Sequence, residues 1–200
     1  MRWPDVEEEM SAVLGVGLEV RTASRPLSVA DLSPGERAQL PEGRRGHDWL
    51  LGRAALKQLL DGADTCRLSF PHRCLSLTHA AGVAVAARCR DAVAGLRGPN
   101  AVAGVGVDYE GWRTVDPRAV RFFLQDHERH GADLLRMWTV KEALFKATPH
   151  NDRAVFLDYA VADPTPLAGM AADGAGRTFR YASGRLPHGW LTVAVCDAPV

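Results

Sequence analysis

The chain has 200 residues, with 24 basic and 24 acidic side chains and no formal net charge. That balance argues against a nucleic-acid or membrane-surface binder that works through a broad basic excess, and no apolar run approaches the ~20 residues of a membrane helix. At this length about 70 % of the unfolded chain's surface is buried on folding, so one compact domain or two small packed halves is expected.

From the N-terminus, Met1-Arg2-Trp3-Pro4-Asp5 runs into Glu7-Glu8-Glu9 without the positive segment and apolar stretch of a signal peptide. Cys66, Cys74, Cys89 and Cys196 have neither metal-finger spacing nor small-secreted-domain density, which predicts reduced thiols in a soluble, cytoplasmic protein. Residues 12–20 alternate as a first strand. Ser33-Pro34-Gly35-Glu36 predicts a helix start, with serine as N-cap, proline next and glutamate reaching back. A longer helix follows over residues 45–60, with Trp49, Leu50, Leu56, Leu59 and Leu60 as its apolar stripe and Asp61-Gly62 as its end. Residues 75–77 and 83–87 predict short buried strands around a turn at Thr78-His79, and residues 91–100 a hairpin loop or junction.

Residues 101–107 form an apolar, β-rich run that predicts a strand, with Asp108 and Glu110 at its edge. Alternation along a strand sends Asp108 and Glu110 to one face and Tyr109 to the other. A helix around residues 117–123 precedes a second one over 138–146. Spacings of four put Trp138, Glu142 and Lys146 on one helix face, and Lys141 and Phe145 on a neighbouring one. Strands over residues 154–161, 178–182 and 191–195, with turns at 174–176 and 187–189, complete the chain. Taken singly, an Asp-x-Glu is an ordinary polar strand edge, and Glu142 with Lys146 an ordinary helix-surface pair contributing ~0.2–0.5 kcal/mol. Taken together, three carboxylates from two elements, with a lysine one turn beyond the third, make a site for a hard divalent cation and phosphate. That predicts Asp108, Glu110 and Glu142 as ligands of Mg2+, with Mn2+ as an alternative ion of the same preference.

Gly106-Val107-Asp108-Tyr109-Glu110, followed by Trp138-Thr139-Val140-Lys141-Glu142-Ala143-Leu144-Phe145-Lys146, resembles the paired signature of 4'-phosphopantetheinyl transferases of the surfactin-synthetase type. Leu75-Ser76-Leu77-Thr78-His79-Ala80-Ala81-Gly82 is similar to that family's Ser-His segment, with threonine in place of serine. Order, spacing and length agree over nearly the whole chain. The resemblance implies an α+β fold in which two similar halves, here residues 1–100 and 101–200, are related by a pseudo-twofold around an active-site cleft. It implies a monomeric enzyme that moves 4'-phosphopantetheine from coenzyme A to a serine of an apo acyl or peptidyl carrier protein, releasing 3',5'-ADP. Asp108, Glu110 and Glu142 are implied as metal ligands. Glu142 further assists deprotonation of the serine, directly or through a metal-bound water, and Lys146 contacts the phosphates and protonates the leaving group. Arg45, Arg53, Thr78, His79 and Asp108 are implied as coenzyme A contacts, with Arg44 competing for the place of Arg45 and Lys141 as a secondary contact. Trp138 reads as packing.

Two departures accompany the resemblance. Many relatives carry Gly-Lys-Pro before the Ser-His segment, whereas residues 67–73 lack it and are shortened, leaving Arg73 as a substitute. The family's helper glutamate has Glu128 as its nearest counterpart. For carrier docking, Val120, Phe122, Phe123 and Leu124 form an apolar group in which at least one residue must be exposed, since four adjacent residues cannot share one stripe. Two rival readings use the same residues: a module that binds coenzyme A or a carrier without catalysis, and a Mg2+-dependent phosphohydrolase.

Overall fold

In a computed structural model, the structure describes residues 2–92 and 101–199, the side chains of Pro4 and Arg44 excepted. Most of the junction expected at 91–100, and the Arg44 side chain, therefore lie outside the described residues.

The fold is α+β, built on two antiparallel sheets. The chain enters through α1 (Val6–Leu14), where Val6, Met10 and Leu14 recur at the helical period and are all buried. Gly15, at φ +64°, ends it in the left-handed conformation that glycine adopts without strain. Residues 12–14 are thus helical, and the first strand, β1 (Leu18–Ala23), starts later than the alternation suggested. The tertiary environment selected a helical stripe that a nine-residue window also permits as a strand. The short helix α2 (Pro34–Ala38) carries the expected capping box between Ser33 and Glu36, and α3 (Arg44–Leu59) follows.

β2 (Leu75–Ala80) and β3 (Val83–Cys89) form a hairpin whose two loop residues are Ala81 (φ +50°) and Gly82 (φ +74°). Paired positive φ values match the twist of a two-residue hairpin. Thr78 and His79 consequently stand within β2, not at the turn. With β1 they complete a three-stranded sheet in the order β1-β3-β2.

The second sheet has the order β4-β8-β7-β6-β5. β4 (Val102–Gly111) continues past the predicted edge, so Asp108 and Glu110 pair with β8 (Gly189–Asp197) opposite Thr192 and Trp190. After it, the helix expected near 117–123 is a single 3-10 turn (Val120–Phe122), and α4 (Leu134–Ala147) begins at an Asp133 cap that accepts the Leu135 and Arg136 amides at 3.0 Å each. Of the strand expected over 154–161 only β5 (Ala160–Val161) forms. β6 (Ala168–Ala172) was not anticipated, and β7 (Thr178–Leu186) joins β8 through Pro187 and His188.

Alternation divides the core into three layers. Ala84 and Ala86 of β3 pack under α3 with Leu51, Ala55 and Leu56. Val85, Ala87 and Cys89 face the other way, meeting Val105, Val107 and Tyr109 of β4, Leu191, Val193 and Val195 of β8, and α1. The far side of the second sheet, including Phe179, Tyr181 and Ala194, buries Met137, Val140 and Leu144 of α4. β2 and β4, each at an edge of its own sheet, meet along a seam, where the Val107 N–H donates to Ser76 Oγ at 2.9 Å.

Candidate functional site

The predicted carboxylates and Lys146 gather beside that seam. Gly104, Gly106, Asp108 and Glu110 alternate onto the face of β4 toward α4. A Cβ on Gly104 or Gly106 would overlap the Ala147 or Ala143 carbonyl oxygen, so the two glycines let the helix press onto the strand. Further along, side chains that reach across replace the missing ones. Asp108 is 4 % exposed. Its Oδ1 accepts Lys146 Nζ at 2.7 Å and Thr78 Oγ1 at 2.9 Å, while Oδ2 is buried and has no hydrogen-bond partner among the described residues. Lys146 Nζ also donates to Val107 O at 3.3 Å and lies 3.8 Å from Glu142 Oε2. Glu110 accepts Trp138 Nε1 at 3.0 Å and the Arg113 guanidinium at 3.0 and 3.1 Å.

Burial sets the electrostatics. Desolvation pushes the Asp108 carboxyl above its ordinary range, against the lowering pull of the Lys146 ammonium and the Thr78 hydroxyl. Glu142 is pushed up by desolvation as well, with Lys146 opposing and the charges of Asp108 and Glu110 adding to the rise. Three acidic groups thus share a partly buried site with too little positive charge.

Among the described residues, no group of three or more His, Cys, Asp or Glu is arranged as it stands to hold a metal ion. Lys146 sits on Asp108, and Arg113 with Trp138 holds Glu110. The donor set nonetheless suits a hard divalent cation, since the unpartnered, buried Asp108 Oδ2 is an oxygen that lacks a positive partner and has Glu110 and Glu142 for neighbours.

Two cavities border Lys146. The larger, about 670 Å3, runs from Phe70, His72 and Arg73 to Gly104, Pro149 and His150. The smaller, about 350 Å3, is lined by Pro71, Ser76, Leu77, His79, Phe145 and Asn151 among others. Residues 69–73 therefore form a wall of this cleft, and Arg73 belongs to it. Sequence reading missed Ser76, Arg113 and Asn151. An arginine three residues after Glu110 was a visible signal, whereas Ser76 and Asn151 gave none.

The other predicted residues separate. Thr78 directs its hydroxyl to Asp108 and so stands beside Lys146 in the cluster. His79 is exposed and lines the smaller cavity; neighbours on a strand point to opposite faces, which the assumed turn had not allowed for. Arg45 is exposed on the first turn of α3. Arg53 is turned inward, donating to Thr65 O at 3.2 Å with its guanidinium 4.6 Å from the Trp49 ring. Neither arginine lines the two cavities beside Lys146, so the aligned spacing on α3 does not bring them into the cluster. Lys141 is fully buried on Glu128, contacting both carboxylate oxygens at 2.7 Å and also donating to Tyr159 O, which excludes it as a secondary phosphate contact. Glu128 further accepts the Gln125 and Val161 amides. Trp138 packs edge-on against Phe123 and Phe156, as expected, and its N–H positions Glu110 as well. In the proposed docking group Val120, Phe123 and Leu124 are buried and Phe122 is 62 % exposed.

No protein-family model matches the chain, and no curated protein matches it. Among the described residues no helix is long and apolar enough to cross a membrane.

Proposed function

We propose that this chain is a 4'-phosphopantetheinyl transferase of the surfactin-synthetase type, a cytoplasmic monomer that transfers 4'-phosphopantetheine from coenzyme A to a serine of an apo acyl or peptidyl carrier protein. The observation that carries the proposal is the convergence of Asp108, Glu110, Glu142 and Lys146 at the β2–β4 seam, with one buried Asp108 oxygen unpartnered. On this reading the two sheets belong to two related halves, residues 1–100 and 101–200, with the cleft between them as the active site.

Asp108, Glu110 and Glu142 are the residues that would hold Mg2+ or Mn2+. When bound, such an ion supplies positive charge to the pyrophosphate as the phosphoryl bond breaks. Thr78 orients Asp108, and Trp138 with Arg113 orients Glu110. Lys146, at the border of both cavities, donates to the phosphates and passes a proton to the departing 3',5'-ADP. Glu142 takes the serine proton, directly or through a water. His79, at the edge of the smaller cavity, and Arg73, in the larger, contribute donors for coenzyme A, while exposed Phe122 with Arg121 stacked on it belongs to the face that meets an acidic carrier.

The test is incubation with coenzyme A, Mg2+ and apo carrier proteins from fatty-acid, polyketide and peptide synthases, followed by intact mass. Addition of one phosphopantetheine that chelation prevents is expected. No addition to any carrier, or pyrophosphate cleavage without one, overturns the reading.

A further inference from the structure

Lys146 stands where a divalent cation has to compete with it. Its ammonium is 2.7 Å from Asp108 Oδ1 and 3.8 Å from Glu142 Oε2, bridging a carboxylate of β4 and one of α4. Asp108 Oδ1 already accepts two donors, from Lys146 and Thr78, while Oδ2 accepts none among the described residues. We infer that Lys146 is a resident counter-cation of the acidic cluster, held on Asp108 in the absence of a divalent ion and leaving it when one binds. The inference rests on the metal reading proposed above.

Three features support the exchange. A monovalent and a divalent cation sharing one buried carboxylate repel strongly over a few ångströms, so the ammonium that stabilises the cluster alone is destabilised there beside the ion. Lysine can also move, because its charge sits on a flexible four-carbon stem and is not fixed in a planar fork. Room exists on both sides, since Lys146 borders cavities of about 670 and 350 Å3 and its side chain is 26 % exposed.

Only three of the 24 basic residues are lysines. Lys57 and Lys141 each bind a single fully buried carboxylate, Glu36 and Glu128, and both carboxylates are fixed by further hydrogen bonds. Of the three lysines, Lys146 alone faces a pair of carboxylates and an open cavity. Its release places an unpaired ammonium in the cleft, so metal binding prepares the cleft for an anion. Linkage then requires an anion held by that ammonium to tighten metal binding in return.

Two measurements test this on the full chain without coenzyme A. Mn2+ binding, read by electron paramagnetic resonance, is expected to be about tenfold tighter in Lys146→Met than in the wild type. With three lysines to follow, acetylation by an amine-reactive ester, read by peptide mass, reports each in turn. Added Mg2+ is expected to raise labelling of Lys146 several-fold while that of Lys57 stays constant. Equal or weaker Mn2+ affinity in Lys146→Met, or Lys146 labelling that Mg2+ leaves unchanged, overturns the exchange while leaving the metal reading in place. Should Lys146→Met not fold, labelling of the wild type decides alone. Absence of any Mn2+ binding that Asp108→Asn abolishes overturns both.

Discussion

Asp108 and Glu142 are carboxyls whose folded environment favours the proton. For a group raised in this way the ionised form costs stability at neutral pH, and the cost is relieved as pH falls through the folded pKa. Glu142→Gln removes one such charge while keeping shape and hydrogen-bonding capacity. We expect no transfer activity, together with a urea midpoint at or above that of the wild type; near-normal turnover in the folded variant would remove Glu142 from its assigned role. The Lys141–Glu128 pair obeys opposite logic. Burial lowers the lysine pKa and Glu128 pulls it back up, so the pair is stable only as a pair. Lys141→Met leaves Glu128 buried and uncompensated, with an expected loss of about 3–5 kcal/mol in urea unfolding, and Lys141→Met/Glu128→Leu should recover much of it.

At the scale of elements, α4 serves two sides at once. Met137, Val140 and Leu144 hold it on the second sheet, while Glu142 and Lys146 face the seam. Asp133 fixes where the helix starts and accepts the Trp190 indole at 3.1 Å, tying that start to β8. How closely α4 meets β4 depends on Gly104 and Gly106. A methyl at position 106 runs into backbone atoms of α4, not into a side chain that could turn away. Gly106→Ala is therefore expected to cost about 1–3 kcal/mol or more as overpacking and to lower transfer activity, because the helix carrying Glu142 and Lys146 moves off the strand carrying Asp108. Wild-type activity and stability would show that the helix has slack. At the opposite wall, the segment before β2 shapes the cleft through Phe70, Pro71 and Arg73.

Across the whole molecule, the inner core takes side chains from both sheets and from α1, so neither sheet has its buried face covered without the other. One cooperative unfolding transition is expected, coincident by fluorescence and circular dichroism; two separated transitions would show that the two sheets unfold independently. Ser76→Ala tests the seam itself, because it deprives the buried Val107 N–H of its partner at an expected cost of about 1–3 kcal/mol. Away from the site, Glu36 contributes to the acid sensitivity of the fold. Desolvation acts to raise its pKa, but hydrogen bonds from Thr65, Ser33 and Lys57 outweigh this and hold it at about 2, against an ordinary 4.5. A lowered folded pKa gives stability that is complete above 4.5 and fades as pH falls toward 2. Glu36→Gln should therefore destabilise the protein at pH 7 and progressively less in that acid window, as followed by thermal unfolding.

The candidate site was legible where it depends on local periodicity. Strand alternation alone determines that Asp108 and Glu110 share a face opposite Tyr109, and helical spacing determines that Trp138, Glu142 and Lys146 share another. Ser33 and Glu36 likewise declare a cap within four residues. Periodicity says nothing of what stands opposite. The hairpin turn lies three residues beyond the one expected, which makes Thr78 a partner of Asp108 and leaves His79 at the cavity edge. The resemblance implies Arg53 as a coenzyme A contact and Lys141 as a secondary one. Their burial on Thr65 and Glu128 depends on residues 12 and 13 positions away whose approach the chain's local pattern does not encode. Thus the sequence by itself determined which residues lie side by side on one strand or helix, because backbone geometry fixes that. Only the tertiary structure decided which of those faces meet, since the meeting depends on packing between elements far apart in the chain.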